Sequence, residues 1–360
     1  MAELHALFKI LKDVGGSDLH LSVGLPPRIR CDGALVDVEG RSVLGQDDLL
    51  VLLREVVSEA QWEEYTRTGD LDFAYGLKGV ARFRANYLRQ LKGAAAVFRI
   101  IPEKILSVEE LGMPPAVGGL ADLHRGLVLI TGPTGSGKST TLAAIIDRIN
   151  SRYRKHIVTI EDPVEFIHPN KQSVLSQREV GTDAESFAAA LRVALRQDAD
   201  VVLVGEMRDL ETISLAITAA EMGALVFGTL HTNSAAKTID RIIDAFPAKE
   251  QAKIRTTLSE SVTGIVSQLL LPKIGGGRIA AHEILLRTSG LPNVVREGSN
   301  AMLRSIIQGG RAIGMTTMDD SLMQLVKNGQ VSAREGYRKA ENRSAFEPLM
   351  KKEQAAQVSS

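Results

Sequence analysis

No segment restricts the fold more than the run Gly132-Pro133-Thr134-Gly135-Ser136-Gly137-Lys138-Ser139, continued by Thr140. Glycines at positions 132, 135 and 137 let the backbone bend so that successive N–H groups converge on one anion. Such a loop works only between a strand and a helix. The flanks suit it: Leu127–Thr131 is a short apolar run, and a helical pattern runs from Lys138 to about Ser151. The helix start adds the positive end of its dipole. Lys138 is then expected to reach the β- and γ-phosphates of a nucleotide, with the Ser139 hydroxyl on Mg²⁺. A chain built around this loop is an α/β protein that binds, and with the right acids hydrolyses, ATP.

The rest of this region keeps the same grammar. The apolar runs Ile157–Ile160, Val201–Val204 and Leu225–Leu230 alternate with helical patterns, one of which sets Phe187, Ala190, Leu191, Ala194 and Leu195 on one face. Short buried strands alternating with helices predict a largely parallel sheet. Upstream, Leu4, Leu7, Phe8 and Leu11 mark an amphipathic helix whose stripe faces a core. Leu19–Val23 reads as a strand before turns at Pro26-Pro27 and Asp32-Gly33; Gln46–Thr66 reads as one helix. Asp70–Tyr75, Val80–Asn86 and Ala94–Ile100 alternate as strands. From about Lys249 the pattern turns mostly helical, interrupted by Gly275-Gly276-Gly277.

Acidic residues must complete a metal shell and handle the attacking water. Asp200-Val-Val-Leu-Val-Gly205-Glu206 reads as a buried strand ending in a carboxylate, and ligands of such sheets bind at the carboxyl ends of strands. Glu206 is therefore a candidate Mg²⁺ ligand. Glu161, Asp162 and Glu165 follow another strand and reach the same edge, a grouping suited to metal binding and water activation.

The order GPTGSGKST, TIEDPVEF, LRQDADVVLVGEMRD and GTLHTNSAAKTIDRIID resembles the type II/type IV secretion ATPase superfamily, and within it the type IV pilus retraction ATPases. GGSDLHL with PPRIRCDG, RFRAN, and LPNVVREGS extend the resemblance over about residues 1–340. It implies a PAS-like α+β domain over 1–101, a linker over 102–119, and a RecA-like core over 120–270. A mostly helical C-terminal part over 271–350 and a disordered tail over 351–360 complete this division. By the same resemblance Glu165 is the general base, Glu206 the acid at the Mg²⁺ site and His231 a γ-phosphate sensor. Arg82, Arg84 and Arg99 are candidates for the arginine that a neighbouring subunit supplies in trans. One departure stands out: Met222-Gly223-Ala224 replaces the family's Thr-Gly-His, so the first histidine of its histidine box is absent.

The implied function is a homo-hexameric ATPase motor for pilus retraction at the cytoplasmic face of the inner membrane. It would act on a platform protein there, with a paralogous retraction ATPase as a further partner. Pilus-assembly and type II secretion ATPases are the runner-up; these usually carry an extra N-terminal domain and a tetracysteine zinc insertion. Here Cys31 is the only cysteine. A hexameric nucleic-acid translocase would want a basic lining and stacking aromatics. The 43 basic residues balance the 43 acidic ones and aromatics make up 4%, so no nucleic acid is expected. A non-hydrolysing switch fits poorly with intact Lys138, Glu165 and Glu206. No run approaches the ~18 apolar residues of a membrane span, so a cytoplasmic protein is expected.

Overall fold

The computed structural model describes residues 3–31, 33–101 and 104–358; Asp32, Pro102 and the last two residues of the expected tail lie outside these. The chain divides into two compact units: Met1–Lys104 with Pro163–Ile167, and Ile105–Asp162 with His168–Ser360.

The first unit begins with α1 (Glu3–Asp13), whose Leu4, Leu7, Phe8 and Leu11 are all buried, as their spacing requires. Strands β1 (Asp18–Ser22), β2 (Arg28–Cys31) and β3 (Ala34–Asp37) precede two helices, α2 (Gln46–Arg54) and α3 (Glu59–Thr68). The single helix expected over Gln46–Thr66 is thus divided. Ser58 starts a new helix by accepting from the Gln61 amide, while the Gln61 side chain accepts from the Ser58 amide. This reciprocal cap satisfies N–H groups that a continuous helix would have bonded internally. Strands β4 (Asp70–Leu77), β5 (Ala81–Gln90) and β6 (Gly93–Ile101) complete an antiparallel sheet of order β3-β2-β1-β6-β5-β4. Its apolar face closes on Phe8, Phe83, Phe98 and Tyr87; Phe8 and Phe83 stack at 4.1 Å.

The second unit opens inside the expected linker. Of that segment, α4 (Pro115–Gly119) is helical, and Val108 and Val117 are buried. Then come β7 (Gly126–Thr131), α5 (Lys138–Arg152), β8 (His156–Glu161), β9 (Val174–Glu179) and α6 (Phe187–Ala194). After these follow β10 (Val201–Val204), α7 (Leu210–Glu221), β11 (Leu225–Leu230), α8 (Ala235–Asp244) and α9 (Ala248–Ser261). With β12 (Val262–Pro272) and β13 (Arg278–Leu286), the sheet order is β13-β12-β7-β11-β10-β8-β9, parallel except for its last hairpin. Strands β7, β10 and β11 are buried along their whole length, which is why each reads as an unbroken apolar run.

That hairpin corrects the helical reading after Lys249. Strands β12 (Val262–Pro272) and β13 (Arg278–Leu286) form it, turned by Gly275, Gly276 and Gly277, all at positive φ. A core boundary at residue 270 falls inside β12. Helices follow: α10 (Leu291–Glu297), α11 (Asn300–Gly309), α12 (Met318–Lys327), α13 (Ala333–Lys339) and α14 (Glu347–Val358). The expected disordered tail is therefore helical as far as Val358.

Candidate nucleotide site

The phosphate loop connects β7 to α5 at the carboxyl edge of the parallel strands. Gly132, Gly135 and Gly137 have φ of 146°, 77° and 88°, conformations that side-chain-bearing residues rarely adopt. At two of them space is closed as well. A Cβ on Gly132 would collide with the main-chain oxygen of Gln268, and one on Gly137 would lie 2.8 Å from Gln268 Nε2. Lys138 Nζ donates to the carbonyls of Gly132 (2.8 Å) and Pro133 (3.1 Å), which folds its ammonium group back over the loop. Ser139 is exposed on the first turn of α5, Pro133 and Thr134 are exposed on the loop, and the Ser136 side chain is buried beneath it.

A second cluster forms where β10 and β11 end. Glu206 accepts from Arg208 Nη2 at 2.6 Å and lies 3.0 Å from His231 Nε2. Main-chain bonds hold the two loops together: the Met207 amide donates to Thr229 O at 3.0 Å, and Thr229 Oγ1 donates to Gly205 O. Burial pushes the pKa of Glu206 upward, but the Arg208 guanidinium, helped by His231, outweighs it and holds the carboxyl below its ordinary value. Glu206 is thus an anion at neutral pH. Sequence reasoning passed over Arg208. Its neighbour Asp209 caps α7 by accepting from the Thr212 amide at 2.8 Å.

The remaining residues are more dispersed. Glu161 accepts from Thr159 Oγ1 at 2.7 Å at the end of β8. Glu165 is half-buried on Pro163–Ile167, a segment that packs as part of the first unit. Arg84 and Arg99 are direct cross-strand partners on β5 and β6, and Arg82 sits two residues before Arg84. Arg99 Nε also donates to Asp18 at 2.7 Å, so of these two facing arginines Arg99 carries a local counter-ion. Ala224 precedes β11 and accepts from the Gly126 amide at 3.0 Å, at the edge of the sheet opposite the phosphate loop.

The second unit can therefore present amides, an ammonium group, a hydroxyl and an ionised carboxylate at one sheet edge. That set suits a nucleoside polyphosphate. The oxygen donors Ser139 and Glu206 suit a hard cation such as Mg²⁺. Among the described residues no group of three His, Cys, Asp or Glu could hold a metal alone. A cation here would need phosphate or water oxygens as further ligands.

Comparison with known proteins agrees with this chemistry. The sequence profile of the type II/IV secretion system protein family matches residues 13–359. The type IV pilus retraction ATPase PilT of Pseudomonas aeruginosa is 52% identical over 91% of this chain and 94% of its own length. The type IV pilus ATPase PilU of the same organism is 35% identical over 97% and 91%. A crystal structure of the pilus retraction motor PilT with bound ADP superposes with a TM-score of 0.89 at 43% identity, covering 97% of this chain and all of that one.

Proposed function

The chain belongs to the type II/IV secretion system protein family, and from that premise we propose that it is an ATP-hydrolysing motor that retracts type IV pili in twitching motility. The observation that carries the reading is the complete phosphate loop at the same sheet edge as an ionised Glu206, in a chain similar to a retraction ATPase over nearly its whole length. The higher identity to PilT (52%) than to PilU (35%) favours the retraction motor itself.

We assign roles from the chemistry of each group. The loop amides from Gly132 to Ser139 and the Lys138 ammonium bind the β- and γ-phosphates, with Thr140 completing the segment. Ser139 and Glu206 would hold Mg²⁺, whose charge would offset that of the phosphate oxygens. Glu165 takes the proton of the attacking water. We assign His231, which is hydrogen-bonded to Glu206, as the γ-phosphate sensor. One of Arg82, Arg84 and Arg99 would reach the γ-phosphate of a neighbouring subunit in a homo-hexamer, where a permanently charged guanidinium offsets developing charge. Among the described residues no helix is long and apolar enough to cross a membrane. Attachment at the cytoplasmic face of the inner membrane would run through a platform protein, with a paralogous motor as a further partner.

The test pairs biochemistry with motility. The purified chain should hydrolyse ATP, Lys138→Ala should abolish turnover, and a deletion strain should extend pili without retracting them. Turnover in Lys138→Ala within a few-fold of the parent would refute the phosphate-loop assignment; normal retraction in the deletion strain would refute the motor.

A further inference from the structure

Strand β12 pairs with β7 only as far as Ser267, which faces Thr131; the two hydroxyls are 2.8 Å apart. Gln268 is the next residue, level with the start of the phosphate loop, and it is 2% exposed. Both ends of its side chain are used. Nε2 donates to the main-chain carbonyl of Ser136 at 2.6 Å, and Oε1 accepts from Thr141 Oγ1 at 2.8 Å. Thr141 is itself buried on the first turn of α5. Of the loop's three glycines, the two at which a Cβ would meet a neighbour, Gly132 and Gly137, are the two that lie against Gln268.

A peptide unit is planar and trans, so its C=O and N–H point in opposite directions. Holding the Ser136 carbonyl against β12 therefore turns the Gly137 N–H away from β12. Rotation of that peptide would break the bond to Nε2 and present a carbonyl oxygen where an amide is needed for an anion. The Ser136 carbonyl can only accept, so it fixes which end of the Gln268 amide faces the loop; Thr141 Oγ1, which also lies 3.1 Å from the Gly137 carbonyl, holds the other end.

We propose that Gln268 is a positioning residue for the nucleotide: it fixes the Ser136–Gly137 peptide so that the Gly137 N–H faces the phosphates. The inference rests on the nucleotide site assigned above and adds a residue from outside its motifs. Gln268 touches the loop's main chain and not the substrate. Its loss should weaken binding of ADP and ATP alike, because both carry the β-phosphate, and should leave turnover at saturation nearly intact.

The measurement is equilibrium binding of fluorescently labelled ADP to the full chain, with steady-state ATP hydrolysis alongside. Gln268→Met keeps the length of the side chain and removes both bonds. A carbonyl left without its donor at a buried position predicts about 10- to 100-fold weaker ADP binding, a similar rise in KM and kcat within about threefold of the parent. Thr141→Val, which takes the hydroxyl away from both Gln268 Oε1 and the Gly137 carbonyl, should weaken ADP by about 3- to 10-fold. It decides the question if Gln268→Met does not fold. A lowered melting temperature with unchanged ADP affinity would make Gln268 a purely structural residue and overturn the proposal, as would unchanged affinity in Thr141→Val. Lys138→Ala separates the two readings. If it binds ADP as the parent does, the nucleotide site itself is wrong. If it loses binding while Gln268→Met and Thr141→Val keep it, only the role of Gln268 falls.

Discussion

Acid sensitivity should come in part from buried histidines, and His282 supplies a separable share of it. His282 faces Gln268 across the β12–β13 hairpin, is 3% exposed, and its Nε2 has no hydrogen-bond partner. Burial penalises the charged imidazolium and lowers the pKa from 6.5 to about 4. The unfolded chain therefore takes up this proton near pH 6.5, whereas the folded chain holds out to about pH 4. Between those values the unfolded state binds more protons, so stability present above pH 6.5 is lost as pH falls toward 4. For one such group the loss between pH 7 and pH 5 is about 2 kcal/mol. His282→Gln removes the titration. Urea unfolding followed by far-UV circular dichroism at both pH values gives the loss for each protein. The comparison is of the two losses, so any pH-independent cost of the substitution cancels. The parent should lose about 2 kcal/mol more than the variant. Some acid sensitivity should remain in the variant from His168, which burial also lowers to about 4. Equal losses in parent and variant would refute the reasoning.

Glu165→Gln should bind ATP but hydrolyse it about 10²- to 10⁴-fold more slowly, since shape is kept and the base is removed; a rapid-quench measurement of bound ATP checks this, and normal turnover would remove Glu165 from the role. The arginine that acts in trans should, when replaced, slow hydrolysis by about 10³- to 10⁵-fold without unfolding the chain. Mixing that variant with Glu165→Gln should restore part of the activity, because some interfaces then hold one sound arginine and one sound glutamate. No recovery despite proven subunit exchange would count against a shared site.

The residues that the sequence made legible are those whose signals are local. The phosphate loop needs glycines at fixed offsets, here Gly132 and Gly137, and a strand before it. Strands β7, β10 and β11 are covered on both faces, so their burial is written as continuous apolar runs. Strand β12 escaped because its inward positions include Ser267 and Gln268, buried polar residues whose partners lie 136 and 132 residues away along the chain. No periodicity encodes such a pairing; only the closing of the sheet beside β7 produces it. Arg208 escaped for a related reason. An arginine four residues past β10 looks solvated until the end of β11 brings His231 to the other side of the same carboxylate.

The absent first histidine of the histidine box shows the opposite case, where topology removes a difficulty that the sequence raised. In sequence, Ala224 and His231 stand at the two ends of one motif and invite the reading of a paired relay. In the sheet they are separated by the whole of β11, whose six residues rise by about 20 Å. Ala224 is level with Gly126 at the start of β7, while His231 follows Leu230, which is level with Thr131 just before the phosphate loop. A histidine at 224 would therefore lie at the far edge of the sheet, out of reach of any group bound at the loop of the same subunit. His231 keeps its contact to Glu206 without it. Any role for position 224 therefore belongs to the opposite edge of the sheet, away from the residues proposed to act in hydrolysis.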